Sequence, residues 1–169
     1  MRLHLPLPLR AALLALLVSF SISHAAERTK LELGTDYPEQ SHTLSSGTPY
    51  DDYDIYVYSG GTFELSGGYS AYNSGSSATI NVDGGTFTMN TGSTIAYNSG
   101  SSAEINVDGG TFEMKGGMIA RESGSSAEIN VYGGTFAMKS DGMIARYSGS
   151  RAEINVDGGT FEMSGGYIS

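Results

Sequence analysis

The sequence predicts an all-β protein, a single-stranded parallel β-helix (solenoid) of about four to five coils with 24 or 25 residues each. A Gly-Gly-Thr-Phe segment recurs, and its phenylalanines are Phe63, Phe87, Phe112, Phe136 and Phe161, at intervals of 24, 25, 24 and 25 residues. Apolar and polar residues alternate between the glycine pairs. Alternation predicts strands and glycine pairs predict turns, so each repeat is expected to form one coil.

Other repeat folds fit less well. A propeller blade needs about 40 residues, and leucine-rich repeats have a different Leu and Asn spacing. Antiparallel hairpins are compatible with Asp-Gly-Gly turns. Near-identical tandem copies nevertheless stack naturally residue on residue, which favours the β-helix. We expect a right-handed coil, the usual hand of parallel crossovers.

Residues 1–25 are typical of a secretory signal peptide. Arg2 and Arg10 supply positive charge, residues 11–20 form the apolar region, and small residues precede the expected cleavage after Ala25, with cleavage after Ala26 as the alternative. The apolar run is shorter than the ~20 residues of a membrane-spanning helix. No second such run follows, so we expect an exported chain without a membrane-spanning segment after cleavage, at the cell surface or outer membrane or in the extracellular space.

Residues 26–54 lack the repeat and are expected to form an N-terminal cap or linker, with an ordered cap and a disordered linker both open. The repeats occupy residues 55–169 and end within a coil. The first repeat has two possible registers. Counting back from Phe63 points Tyr56 and Tyr58 inward, whereas the apolar choice points Ile55 and Val57 inward and needs one extra turn residue.

The later repeats specify which side chains face inward. Residues 103–108 alternate strictly, Gly109 and Gly110 break the run, and Phe112 and Met114 alternate with polar residues. A third short strand is expected with Ile119 inward and Met118 outward. We expect no helix after the leader. The predicted core columns are Ile80, Ile105, Ile129 and Ile154; Val82, Val107, Val131 and Val156; the phenylalanines; and Leu65, Met89, Met114, Met138 and Met163.

Composition and charge narrow the functional classes. The net charge of −9 argues against nucleic-acid binding, because a phosphate-binding surface needs a basic patch. The only histidines are His4, His24 and His42, and none lies in the repeats. Asp83, Asp108 and Asp157 recur at one turn, where Tyr132 replaces one copy, so no singular catalytic site is visible. We therefore expect a protein that is not an enzyme.

Two outward columns are candidate contact surfaces. Glu104, Glu128 and Glu153 follow Thr79 in one column, one strand spacing apart, and Arg151 offsets part of their repulsion. Calcium is one interpretation, but a solvated acidic stripe is favoured, because calcium needs six to eight converging oxygens. No cofactor is expected. The second column, Tyr72, Tyr97, Arg121 and Arg146, could contact a host or matrix glycan or protein, or could simply stack.

Two further columns recur along the repeats, one of asparagines and one of threonines. Asn81, Asn106, Asn130 and Asn155 are expected to form a solvent-facing amide ladder with a structural role. The threonine before each phenylalanine suggests an ice-binding face only remotely, since a flat face needs paired threonine columns.

The run Ile-Asn-Val-Asp-Gly-Gly-Thr-Phe-Glu-Met, followed by Gly-Gly-x-Ile, resembles the repeats of bacterial autotransporter-passenger and adhesin-like surface proteins. The resemblance covers residues 55–169. It implies a right-handed β-helix displayed or released outside the cell, in contact with a host, matrix or other cell. Such proteins normally continue into a C-terminal β-barrel, and none follows Ser169 in this sequence.

The function expected from these features is that of an exported, non-enzymatic β-helix acting as a structural scaffold or in adhesion. An alternative is an assembly module that self-associates end to end through the open C-terminal coil, whose strand edge would be unpaired. A carbohydrate-active β-helix enzyme is a remote alternative.

Expression with the native leader in a bacterial host tests export. We expect the exported chain to begin at Ala26 by intact-mass analysis, and Leu14→Arg to block export by interrupting the apolar region. Recovery of the exported chain with its leader still attached would contradict the proposed cleavage.

Overall fold

The computed structural model describes residues 28–45 and 49–169, and the leader prediction lies outside them. Within these residues every regular element is a β-strand, as predicted. The chain winds as a parallel β-solenoid in which each coil contributes a long strand, a second strand and a short third one. The right hand of the coil stays a prediction.

The strands fall into three positions along each coil. The first position holds β1 (Thr29–Leu33), β4 (Tyr53–Tyr58), β7 (Ser77–Asp83), β10 (Ser102–Asp108), β12 (Ser126–Val131) and β14 (Arg151–Val156). The second holds β2 (Ser41–Ser45), β5 (Thr62–Ser66), β8 (Thr86–Met89), β11 (Thr111–Ile119), β13 (Thr135–Ile144) and β15 (Thr160–Met163). The third holds β3 (Pro49–Tyr50), β6 (Tyr69–Ser70), β9 (Thr94–Ile95) and β16 (Tyr167–Ile168), while β11 and β13 continue through it.

Each residue stacks on its own copy in the neighbouring coil. The first-position strands form one six-stranded sheet in the order β1, β4, β7, β10, β12, β14, and all neighbours are parallel. Ile105 pairs with Ile80 on one side and with Ile129 on the other. The second strands stack in the same way, with Phe112 between Phe87 and Phe136. The predicted columns are therefore physical columns along the solenoid.

The additional residue of the longer repeats lies between the second and third strand positions. Met114 pairs with Met138, but Gly116 pairs with Asp141, so the register between β11 and β13 shifts by one residue there, as at a β-bulge. Because the shift is confined to these few residues, the strand segments on both sides keep corresponding residues aligned.

The segment before the repeats forms a coil of its own. β1 pairs with β4, β2 with β5 and β3 with β6, all parallel. Leu33 and Leu44 enter the core, and His42 takes the position that phenylalanine occupies in the repeats, stacked on Phe63 with ring centroids 5.6 Å apart. This segment therefore covers the N-terminal end of the core although it lacks the repeat sequence.

The structure also decides the register of the first repeat. Ile55 and Val57 are fully buried and pair with Ile80 and Val82. Tyr56 and Tyr58 point outward, half-buried. The turn that follows contains one more residue than in later coils, which returns Phe63 to its column.

The core is a set of stacked columns, and the phenylalanine column is its largest. Successive ring centroids are 4.8, 4.6, 4.7 and 5.3 Å apart, and the ring planes lie within 16° of parallel. The rings from Phe63 to Phe136 are at most 1% exposed. In the last coil the same columns are less covered, and Val156 and Met163 are 49% and 48% exposed. The self-association alternative stays a prediction.

Removing one phenylalanine ring from this column should destabilise the fold, and the loss of stability should depend on where the ring lies in the column. Phe112→Ala removes a fully buried ring between two neighbours and should lower the free energy of unfolding by about 3–5 kcal/mol. Phe161→Ala is the matched control, because Phe161 is half-buried with one stacked partner, and its loss should be at most roughly 2 kcal/mol. Urea unfolding followed by circular dichroism measures both. Equal losses would contradict a continuous stacked column.

Candidate functional site

One corner of each coil positions the predicted tyrosine and arginine column. Ala71, Ala96, Ala120 and Ala145 adopt left-handed backbone angles, with φ between 53° and 57°, and bury their methyl groups completely. A second left-handed residue, such as Gly100, follows four positions later. Ser101 closes the turn by donating from both its backbone N–H and its hydroxyl to the Asn98 carbonyl, at 3.0 and 2.5 Å. The residue directly after each alanine is thereby held at the outer edge.

These edge residues, together with the nearby Tyr69 and Tyr147, form an aromatic and cationic surface that we call the Tyr/Arg ridge. Its members are Tyr69, Tyr72, Tyr97, Arg121, Arg146 and Tyr147. Tyr72 and Tyr97 stack with centroids 5.0 Å apart, and Tyr69 meets Tyr97 edge to face at 5.2 Å. The Arg121 guanidinium carbon lies 4.5 Å from the Tyr97 ring centroid, a cation–π contact. The predicted column is thus continuous from Tyr72 to Arg121.

Arg146 does not extend that stack. Its guanidinium lies over the Tyr147 ring at 5.0 Å and approaches the Met118 sulfur at 3.3 Å. Stacking two guanidinium groups would place like charges one strand apart, which is unfavourable. Arg146 is exposed and Tyr147 is 41% exposed, so this end of the ridge is the more accessible.

The glutamate column is tied to the asparagine ladder beside it. Asn106 donates to Asn81 Oδ1 at 3.1 Å and to Glu104 at 3.0 Å, and Asn130 donates to Asn106 Oδ1 at 3.1 Å and to Glu128 at 3.2 Å. Each of these amides therefore uses both of its N–H groups. The amide ladder is confirmed, although Asn130 is only 5% exposed and so is less solvent-facing than expected.

Basic residues stand at both ends of the glutamate column. Arg28 pairs with Asp54 at 3.0 Å. Arg151 pairs with Glu153 at 3.0 Å, as the sequence suggested. Arg28, Arg151 and the glutamates border a shallow groove of about 400 Å³ that runs across the column. No group of three or more His, Cys, Asp or Glu side chains converges as a metal site within residues 28–45 and 49–169. The carboxylates have ladder amides or an arginine as partners, which favours a solvated stripe over calcium.

A third surface was not singled out from the sequence. Tyr58, Asp83, Asp108 and Tyr132 follow one another in a single outward column at the ends of the first-position strands. Together with Tyr56, Asn81, Val82, Glu104 and Asn106 they line a depression of about 420 Å³, which we call the tyrosine groove. The sequence did show that Tyr132 replaces the recurrent aspartate of this column. It did not show that Tyr56 and Tyr58 face the same groove, because the register of the first repeat was undecided.

The N-terminal wall of the tyrosine groove is a stacked aromatic cluster. Tyr37 lies parallel to Tyr58 with centroids 4.6 Å apart, and Tyr56 stacks beside Tyr58 at 6.0 Å. Burial, followed by a hydrogen bond with Tyr37, raises the pKa of Tyr58 to about 12. The Tyr58 phenol therefore remains uncharged across the physiological pH range.

A glutamate, a histidine and a tyrosine are linked in the N-terminal coil. Tyr50 Oη lies 2.9 Å from His42 Nε2, and His42 Nδ1 lies 2.8 Å from Glu39. Burial, with Tyr53 and Glu39 nearby, raises the pKa of Tyr50 above its ordinary value. The chain of hydrogen bonds orients His42 on the Phe63 ring, which is a structural use of these groups.

No family of known proteins, no curated protein and no solved structure matches this chain. Among the described residues there is also no helix with the length and apolarity to cross a membrane. The candidate surfaces must therefore be judged on their own chemistry.

The raised pKa of Tyr58 has a measurable consequence. Because this pKa is about 12 in the folded chain against 10.0 ordinarily, the neutral phenol favours folding, and that contribution is lost as the pH rises from about 10 to about 12. Ultraviolet titration of the folded chain should show a tyrosine component near pH 12 that Tyr58→Phe removes. Tyr132→Phe is the control and should retain this component. If the component near pH 12 persisted in Tyr58→Phe, its assignment to Tyr58 would be wrong.

Proposed function

We propose that this chain is an exported, non-enzymatic β-helix protein of the adhesin or autotransporter-passenger kind, and that it acts by contact through the Tyr/Arg ridge. The parallel β-solenoid and the resemblance of its repeats support the class. The observation that carries the contact role is the ordered stack of Tyr72, Tyr97 and Arg121 along one edge.

The ridge suits a protein partner better than the glutamate column does. Tyrosine and arginine are enriched where binding energy concentrates, because they bury much area and lose little conformational freedom when already held in place. Here stacking orders Tyr97 and Arg121 before any partner arrives. The glutamates, by contrast, already have amide or arginine partners within the scaffold. A host or matrix protein surface is therefore the proposed partner class.

Several features support a role without catalysis. The repeated columns place similar residues at every coil, and His42 is engaged between Tyr50 and Glu39 in a coil without the repeat sequence. Incubation with polyuronides and mucin glycans should therefore give no turnover. Any turnover above that of a heat-denatured sample would revive the carbohydrate-active alternative.

Binding of the exported chain to immobilised matrix proteins and to host cells tests the contact role. Arg121→Ala should weaken binding at least about tenfold, because it removes the cation held over Tyr97. The matched control is Lys139→Ala, because Lys139 is also a cation beside a glutamate, Glu113, but lies on the second-strand face; the glutamate beside Arg121 is Glu122, at 3.5 Å. That variant should bind within about twofold of the parent.

Thermal unfolding of both variants checks that the fold is intact. Equal weakening by Arg121→Ala and Lys139→Ala would show a general charge effect and would contradict a contact site on the ridge.

A further inference from the structure

We propose that the tyrosine groove is a binding site for a neutral sugar, of the size of a mono- or disaccharide. This site goes beyond the proposed contact function, because it lies on the outer face of the first-position sheet and shares no residue with the Tyr/Arg ridge. Three features carry the inference: aromatic walls at both ends, a polar floor with unused hydrogen-bonding groups, and three carboxylates in the lining.

The walls arise from a break in the repeat. Tyr58 stands at one end of the column and Tyr132 at the other, with Asp83 and Asp108 between them. Three strand spacings separate the two walls, about 14 Å for parallel strands. A regular repeat would carry aspartate at position 132 and would leave the groove open on that side. Asp157, the next residue in the column, lies beyond the wall.

The walls are suited to the C–H faces of sugar rings. Tyr132 is 49% exposed, and Tyr58 is supported by stacked Tyr37 and Tyr56. Aromatic faces attract C–H groups and bury apolar ring surface, whereas their hydroxyls remain able to hydrogen bond. The volume of about 420 Å³ falls in the lower part of the range of small-molecule sites.

The floor presents donors and acceptors that the scaffold leaves unused. Asn106 and Asn130 each donate two hydrogen bonds, but Asn81 Nδ2 donates none within the described part of the chain, because Thr79 replaces the glutamate beside it. The carboxylates of Asp83 and Asp108 likewise accept no hydrogen bond and form no ion pair among these residues. Sugar hydroxyls both donate and accept, and so match this mixed floor.

The charge of the groove restricts the class of sugar. Asp83, Asp108 and Glu104 line it, and no Lys, Arg or His is among the described lining residues. An acidic sugar would add a fourth negative charge, and the single cation beside the groove, Lys30 Nζ 5.3 Å from the Tyr56 ring centroid, does not balance three carboxylates. Uronic and sialic acids are therefore disfavoured. A lysine-bearing peptide would pair with the carboxylates but would leave the two aromatic walls without a flat C–H face to pack on. We therefore favour the neutral sugar.

The test uses the exported full chain with methyl glycosides of glucose, galactose, mannose and N-acetylglucosamine and their disaccharides. Saturation-transfer NMR detects binding, and calorimetry gives Kd. We expect at least one neutral sugar to bind, with affinity lowered about tenfold or more by Tyr132→Asp. This variant restores the residue that three other coils carry and should therefore fold. Tyr132→Phe should retain binding, and Asp108→Asn should weaken it.

Asp157→Asn is the matched control, since it alters the same column outside the groove and should leave Kd unchanged. Arg121→Ala should also leave sugar binding unchanged, so the groove and ridge proposals fail separately. The proposal is overturned if no neutral sugar binds at millimolar concentration, if binding survives Tyr132→Asp, or if glucuronic or sialic acid binds equally well. Binding of tetralysine in place of every sugar would reassign the groove to a basic peptide.

Discussion

The in-register stacking of each coil on its neighbour is the interaction on which this structure depends. A coil of 24 or 25 residues is too thin to bury its own apolar side chains, so the inward Ile, Val, Phe and Met side chains of the inner coils are covered largely by copies above and below. The phenylalanine rings, 4.6–5.3 Å apart, show how closely the copies align. Any change of length must then fall between the aligned strand segments, as the register shift between Met114 and Gly116 does.

Stacking also has costs, and the surrounding residues offset them. Aligned glutamates repel one another, and the neighbouring amides and Arg151 supply hydrogen bonds to their carboxylates. The left-handed alanines carry a penalty of about 1–2 kcal/mol each. Their fully buried methyl groups pack in the core. Glycine would relieve the backbone but leave that space unfilled.

Distinct surfaces arise where the residue type changes within a column. A uniform column presents the same group repeatedly, whereas the change from Tyr97 to Arg121 creates a cation–π contact and the change from Asp108 to Tyr132 closes a groove. Both changes lie on outward positions, where the stack tolerates different side chains. The buried positions vary much less, because a substitution in the core changes the packing against both neighbouring coils.

The sequence by itself determined the parallel solenoid and the inward columns, because a repeat of constant spacing specifies which residues stack on one another. It also placed Tyr72, Tyr97 and Arg121 together. Only the tertiary structure decided that β1, β2 and β3 form a coil ahead of the repeats, that Ile55 and Val57 face inward, and that Arg146 turns to Tyr147. These outcomes depend on contacts between unlike residues, for which the repeat holds no second copy to compare. The tyrosine groove belongs with them, since its two walls come from coils that are not neighbours.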